Sequence, residues 1–215
     1  EYAKLLCPVD ELMKRDAAIA EKALIPPRPL APGDVYCTAW CGGGGFGDAL
    51  ARDPQRVAKD VQAHLVSKER CSDTYGVVLR ADGEADAGAS AALRSEMRRT
   101  RLAQAEPARI KAERPSSPAR LIRPLYGVVS VGQADGKPVL ACGDCGAAIC
   151  PEHADFHDHV PSRVRTPASL GHTAVRADWQ AYREYFCPGC GLLFDVSFEE
   201  AGKVRQTGPF PPVRC

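Results

Sequence analysis

A chain of 215 residues with 28 Lys/Arg against 27 Asp/Glu carries a formal charge of +1. That balance excludes a bulk field able to recruit nucleic acid or an anionic membrane. No run approaches the ~20 apolar residues of a membrane helix, and residues 1–20 lack the apolar stretch of a secretion signal, so the expectation is a soluble, cytoplasmic protein. Ten cysteines in a reducing compartment point to metal ligation wherever they cluster, rather than to disulfides. Hydrophobic residues make up 45% of the chain, enough for a packed core, while 19 glycines and 18 prolines predict many turns.

In chain order, residues 11–24 predict a short helix, broken by Pro26, Pro27 and Pro29. A strand-like run at 35–40 enters a glycine tract, Gly42 to Gly45 and Gly47. Asp53-Pro54 is an N-cap followed by proline at the first helical position, and Val57, Val61 and Leu65 mark one face of the helix that follows. Residues 75–79 have strand character and end in the turn Ala81-Asp82-Gly83-Glu84. Leu93, Met97 and Leu102 then mark a second amphipathic helix, rich in Arg and Ala.

Residues 107–119, with Pro107, Pro115 and Pro118 around two serines, read as a linker. Between Arg94 and Arg123 nine Lys/Arg face three Glu. Such a run is a solvated face or a strip that docks on an acidic partner. Beyond it, apolar alternation at 125–131 and 139–141 predicts a hairpin, and Tyr185-Phe186 with residues 192–198 predicts two more short strands. Residues 209–215, with three prolines, predict an extended tail. The expected fold class is α+β. Its parts are an irregular segment of short strands and helices with a glycine-rich loop (1–106), a linker (107–119) and a small zinc-ribbon-like β domain (120–215).

That last assignment rests on Cys142-Gly143-Asp144-Cys145-Gly146 and Cys187-Pro188-Gly189-Cys190-Gly191. Two thiolates two residues apart reach one ion from a single tight turn. The glycine after each pair lets backbone N–H groups turn toward sulfur without a Cβ clash. Two such turns complete a tetrahedral sulfur shell. Four thiolates leave no open position for water, so Cys142, Cys145, Cys187 and Cys190 predict a structural Zn2+ rather than a catalytic one. Cys150, His153, His157, His159 and His172 lie between the pairs and offer a second site or surface histidines with a buried thiol. Cys7, Cys37, Cys41 and Cys71 read as packing thiols. Gly42, Gly44 and Gly47 fit G-x-G-x-x-G, but no helix opens from the glycines and no second strand of the required kind follows, so a close-approach loop is the better reading. No catalytic and no cofactor-binding residue is assigned.

Two stretches resemble known families. The glycine tract with Asp48, Leu50, Arg52-Asp53-Pro54, Val57, Asp60-Val61, Leu65-Val66-Ser67 and Tyr75-Gly76-Val77-Val78-Leu79 resembles the C-terminal end of hydantoinase B/oxoprolinase subunits. Asp86 and Ala91-Ala92-Leu93-Arg94 also fit, whereas Ala49 stands where that family often has proline. Asp178-Trp179 and Tyr182 through Gly191 resemble the small zinc-binding subunit of acetone carboxylase and its acetophenone carboxylase relatives. The resemblance implies an accessory, non-catalytic subunit of a biotin-independent, ATP-dependent ketone carboxylase. Hydantoinase A-like and B-like large subunits would be its hetero-oligomeric partners, carrying ATP and a divalent metal themselves. A subunit of an ATP-dependent cyclic-amide hydrolase is the alternative within the family. A different class is a zinc-ribbon adaptor for nucleic acid or protein, for which Tyr182, Tyr185, Phe186, Phe194 and Phe198 could form a stacking platform.

Overall fold

The computed structural model describes residues 45–111, 115, 117–166, 169, 180–200 and 202. The helix expected at 11–24, the strand at 35–40 and the tail at 209–215 lie outside these residues. So do Cys7, Cys37, Cys41, His172 and Gly42 to Gly44. The described residues belong to one compact unit.

Asp48 starts the described helical segment. Its side chain accepts from the Leu50 N–H at 3.0 Å and caps a 3-10 turn, Ala49–Ala51. Asp53 then caps helix α1 (Pro54–Gln62) by accepting from Gln55 N at 2.8 Å, with proline at the first turn as expected. Val57 is buried and Val61 packs beside it, but the third apolar position departs from the 3.6-residue pattern. The helix stops at Gln62 and His64 adopts a φ of 56°. The amides of Leu65 and Val66 both fold back to Asp60 O. This turn carries Val66 into the small core and leaves Leu65 76% exposed.

Helix α2 (Lys68–Asp73), capped by Ser67, leads to a two-residue antiparallel ribbon of β1 (Val78–Leu79) and β2 (Ala85–Asp86). Asp86 caps helix α3 (Ala87–Gln104) through Ala89 N at 2.8 Å. The core of this segment is five small residues, Val57, Ala58, Cys71, Val77 and Ala85. The half-buried side of α3 bears Leu93, Met97 and Leu102 as expected, together with Arg94, Arg98 and Arg101. Arg94 donates to Tyr75 O and Arg52 O, tying the helix to the chain beneath it.

The remainder is antiparallel. One sheet has the order β3 (Arg120–Tyr126), β4 (Val129–Ala134), β5 (Lys137–Cys142) and β6 (Ala148–Pro151). A second has the order β7 (Ser162–Arg165), β8 (Gln180–Phe186) and β9 (Leu193–Glu200). The apolar stretch at 125–131 is not one strand, because Gly127, at φ 53°, turns the chain between β3 and β4. Both sheets feed one core: Val129, Leu140 and Ile149 from the first meet Tyr185, Leu192 and Phe194 around the second, with Phe156 and Val160 between. Proline-rich composition does not keep the stretch after α3 away from this module. Glu106 and Ser162 exchange backbone hydrogen bonds, Ile110 N donates to Asp158 O at 2.8 Å, and Ala119 N donates to Gly146 O at 2.8 Å.

The basic excess around α3 is largely neutralised within the chain. Arg98 pairs with Asp144, Arg101 with Asp48, Arg99 with Glu96, Arg109 with Asp158 and Arg123 with Glu152. Sequence-local counting missed four of these acids because they come from distant segments.

Candidate metal centre

The two cysteine pairs sit at two hairpin tips, the first between β5 and β6, the second between β8 and β9. Their backbones match. Gly146 N donates to Cys142 O at 2.9 Å and Gly191 N to Cys187 O at 2.9 Å; the two glycines have φ of 72° and 71°. A side chain is strained at that φ, which explains glycine after each pair. Cys142 N closes on Ala147 O at 2.9 Å and Cys187 N on Leu192 O at 2.7 Å. Amides then point at sulfur: Gly189 N and Cys190 N lie 3.3 and 3.4 Å from Cys187 Sγ.

The ligand atoms of Cys142, Cys145, Cys187 and Cys190 all lie within 4.8 Å of one another. Across the two tips, Cys142 Sγ is 3.9 Å from Cys190 Sγ and Cys145 Sγ is 3.6 Å from Cys187 Sγ. A disulfide needs about 2.05 Å, whereas four sulfurs on a tetrahedral zinc with bonds of about 2.3 Å stand about 3.8 Å apart. The donor set and its spacing fit a closed four-thiolate ion. Gly189 makes the approach possible, since a Cβ there would lie 2.9 Å from Ala147 Cβ and 3.3 Å from Cys145 Sγ.

Protonation within the cluster is unequal. Hydrogen bonds from Cys187 and Cys190 pull the Cys142 thiol down. The same bonds to Cys142 push Cys187 and Cys190 up. One thiolate is stabilised by its neighbours at their expense; a dication is what would allow all four to ionise together.

Among the described residues, these four are the one set of His, Cys, Asp and Glu whose ligand atoms converge in this way. Cys150 is buried in the β core, its thiol pushed up to about 12 by burial and by Asp155. His153 is exposed. His157 is buried between two carboxylates, with Nδ1 2.5 Å from Asp155 Oδ1 and Nε2 2.9 Å from Asp195 Oδ2. That contact, above all, holds the Asp195 carboxyl below the usual range. The nearby charge of Asp195 in turn raises the Tyr126 phenol, whose hydroxyl lies 3.3 Å away. Of the aromatics that could have formed a stacking platform, Tyr185, Phe186 and Phe194 are buried. Phe198 is exposed and packs edge-on with Tyr182 at 5.8 Å.

Asp48, which follows the glycine tract, is a site residue that sequence reasoning did not single out. Its side chain is fully buried and takes a two-pronged contact from Arg101, at 2.6 and 3.0 Å, while Leu193 N donates to Oδ2 at 3.0 Å. Burial alone would raise its pKa, but the Arg101 contact together with the Leu193 and Leu50 amides outweighs that and holds the carboxyl low. Asp48 thereby ties the helical segment to the chain leaving the second cysteine turn. Arg101 also lies over the Phe186 ring, 5.9 Å from its centroid, immediately before Cys187. A local signal existed, an acid directly after glycines, but its partners are 53 and 145 residues away.

With this geometry in hand, comparison with known proteins is specific. Residues 120–204 match the family model described as acetone carboxylase gamma subunit. The matched segment contains both cysteine pairs and both larger sheets. The acetone carboxylase alpha subunit of Xanthobacter autotrophicus is 37% identical over 102 residues, 46% of this chain. The chain spans 13% of that relative's length. Both descriptions are of acetone carboxylase subunits. No described helix is long and apolar enough to cross a membrane.

Proposed function

We propose that this chain is an accessory, metal-stabilised component of a biotin-independent, ATP-dependent ketone carboxylase of the acetone carboxylase type. The observation that carries the reading is the gamma-subunit match over the same 120–204 segment that closes the four-sulfur cluster. Zn2+ is the proposed ion, held by Cys142, Cys145, Cys187 and Cys190 in a structural role, because a filled thiolate shell has no position for substrate or water. When bound, it supplies folding free energy to the two hairpin tips.

The segment up to Glu106 is proposed as a hydantoinase B-like C-terminal piece that packs on a large partner subunit. Its five-residue core and the 92% exposure of Phe46 support a segment completed by other surface. Hydantoinase A-like and B-like subunits would then bind ATP and the divalent metal and carry the chemistry, in the cytoplasm. The similarity to a carboxylase alpha subunit favours this over cyclic-amide hydrolysis. The test is to purify the chain from its native source under mild conditions and assay the complex. Co-purification with large subunits and ATP turnover dependent on ketone plus bicarbonate is expected. Turnover with a cyclic amide alone, or a lone monomer, would reject the reading.

A further inference from the structure

Helix α3 lies directly against the second cysteine turn. A Cβ built at Gly191 would stand 2.7 Å from Arg98 O and 3.0 Å from Arg98 Cβ, so the residue at 98 and the turn carrying Cys187 and Cys190 are in contact. The Arg98 side chain is only 20% exposed, and its Nη1 is 3.3 Å from Asp144 Oδ2, inside the first cysteine turn. Asp144 Oδ2 is in turn 4.0 Å from Cys190 Sγ. Arg98 therefore reaches from one turn to the other. Its Nε is buried without a hydrogen-bond partner, and a buried donor left unpaired is costly.

Charge gives this arrangement a purpose. Four thiolates around a dication carry a net charge of about −2, and Asp144 adds a further negative charge beside Cys190. A nearby cation lowers the cost of holding such a cluster in a partly buried place. We propose that Arg98 is a positioning and charge-neutralising residue of the metal centre, supporting the ion by offsetting the negative charge of the thiolate shell and of Asp144. The proposal rests on the metal-centre reading above. It also makes α3 part of the centre: the ion and the helical segment stabilise each other through one guanidinium.

Outer partners of metal sites are worth roughly 10–100-fold in metal affinity. The experiment measures zinc affinity by chelator competition on the full chain for wild type, Arg98→Met, Arg98→Lys, Asp144→Asn and Arg98→Met/Asp144→Asn. Expected is a loss of roughly 10–100-fold for Arg98→Met, most of it retained affinity in Arg98→Lys, no loss in Asp144→Asn, and partial recovery in the double variant. Arg98→Met keeps the apolar stem, so a difference from Arg98→Lys reports charge rather than packing. Equal affinity in all five proteins, or equal loss in Arg98→Met and Arg98→Lys, overturns the role of Arg98 and leaves the centre standing. A wild-type chain that binds no zinc overturns the centre itself and this role with it.

Discussion

The helical segment from Asp48 to Gln104 and the β module from Arg120 to Glu200 solve the problem of a small core differently. The first has a core cluster of five small residues, with Leu50 buried outside it, and relies on local devices: the Asp48, Asp53, Ser67 and Asp86 caps, and arginines laid along the inner side of α3. The second buries a cluster of twelve residues, two of them cysteines of the sulfur cluster. Cys142 and Cys187 belong at once to the core and to the four-sulfur cluster, so an ion held there would be coupled to packing in this module. Contacts between the regions include Leu193 N on Asp48, Arg98 with Asp144, Arg163 with Gln104, and Arg101 over the Phe186 ring. A small core is thus stabilised by sulfur and charge where apolar area falls short.

Breaking this division should have the largest effect at sulfur. Cys187→Ser is expected to abolish stoichiometric zinc and the cooperative unfolding of the β module, since structural zinc contributes roughly 10 kcal/mol or more of apparent folding free energy in small sites. Metal analysis and thermal unfolding check it; unchanged zinc content would remove the four-cysteine assignment.

Asp48→Ala comes next. It leaves Arg101 without its buried partner and Leu193 N without an acceptor, at an expected cost of about 3–5 kcal/mol. If the two regions were independent, hydrogen exchange at Leu193 and Phe194 would not change in this variant; accelerated exchange there is the expected result.

The smallest effect concerns acid. Asp48 and Asp195 are held below the ordinary carboxylate value by Arg101 and His157 respectively. Their stabilising contribution is present above the unfolded value of about 3.9 and is lost as pH falls through the lower folded values. Unfolding profiles below about pH 4 should therefore steepen with acid. Asp195→Asn should flatten that slope, by an amount reduced by solvent screening. A slope identical to wild type would show that the His157 contact adds nothing to acid stability.

Much of the candidate site was legible because it is local. The spacing of Cys142 with Cys145 and of Cys187 with Cys190, each followed by glycine, dictates two like turns whatever surrounds them. The Asp53-Pro54 cap acts within two residues of its own position. Leu65 misled because helical periodicity assumes the helix continues, whereas Asp60 O captured two amides and ended the pattern. The arginines of α3 looked like a solvated or docking strip, since their acids lie in other segments.

Sequence alone determined the four-cysteine pattern, the turn chemistry around it and the Asp53 cap, each governed by backbone geometry over a few residues. Tertiary structure alone decided that the two turns face each other at van der Waals range, that His157 is enclosed by carboxylates, and that Asp48 and Arg98 join helix to hairpin. Those depend on pairing groups up to 145 residues apart, and no local rule of charge or periodicity specifies which distant partner a buried charge will meet.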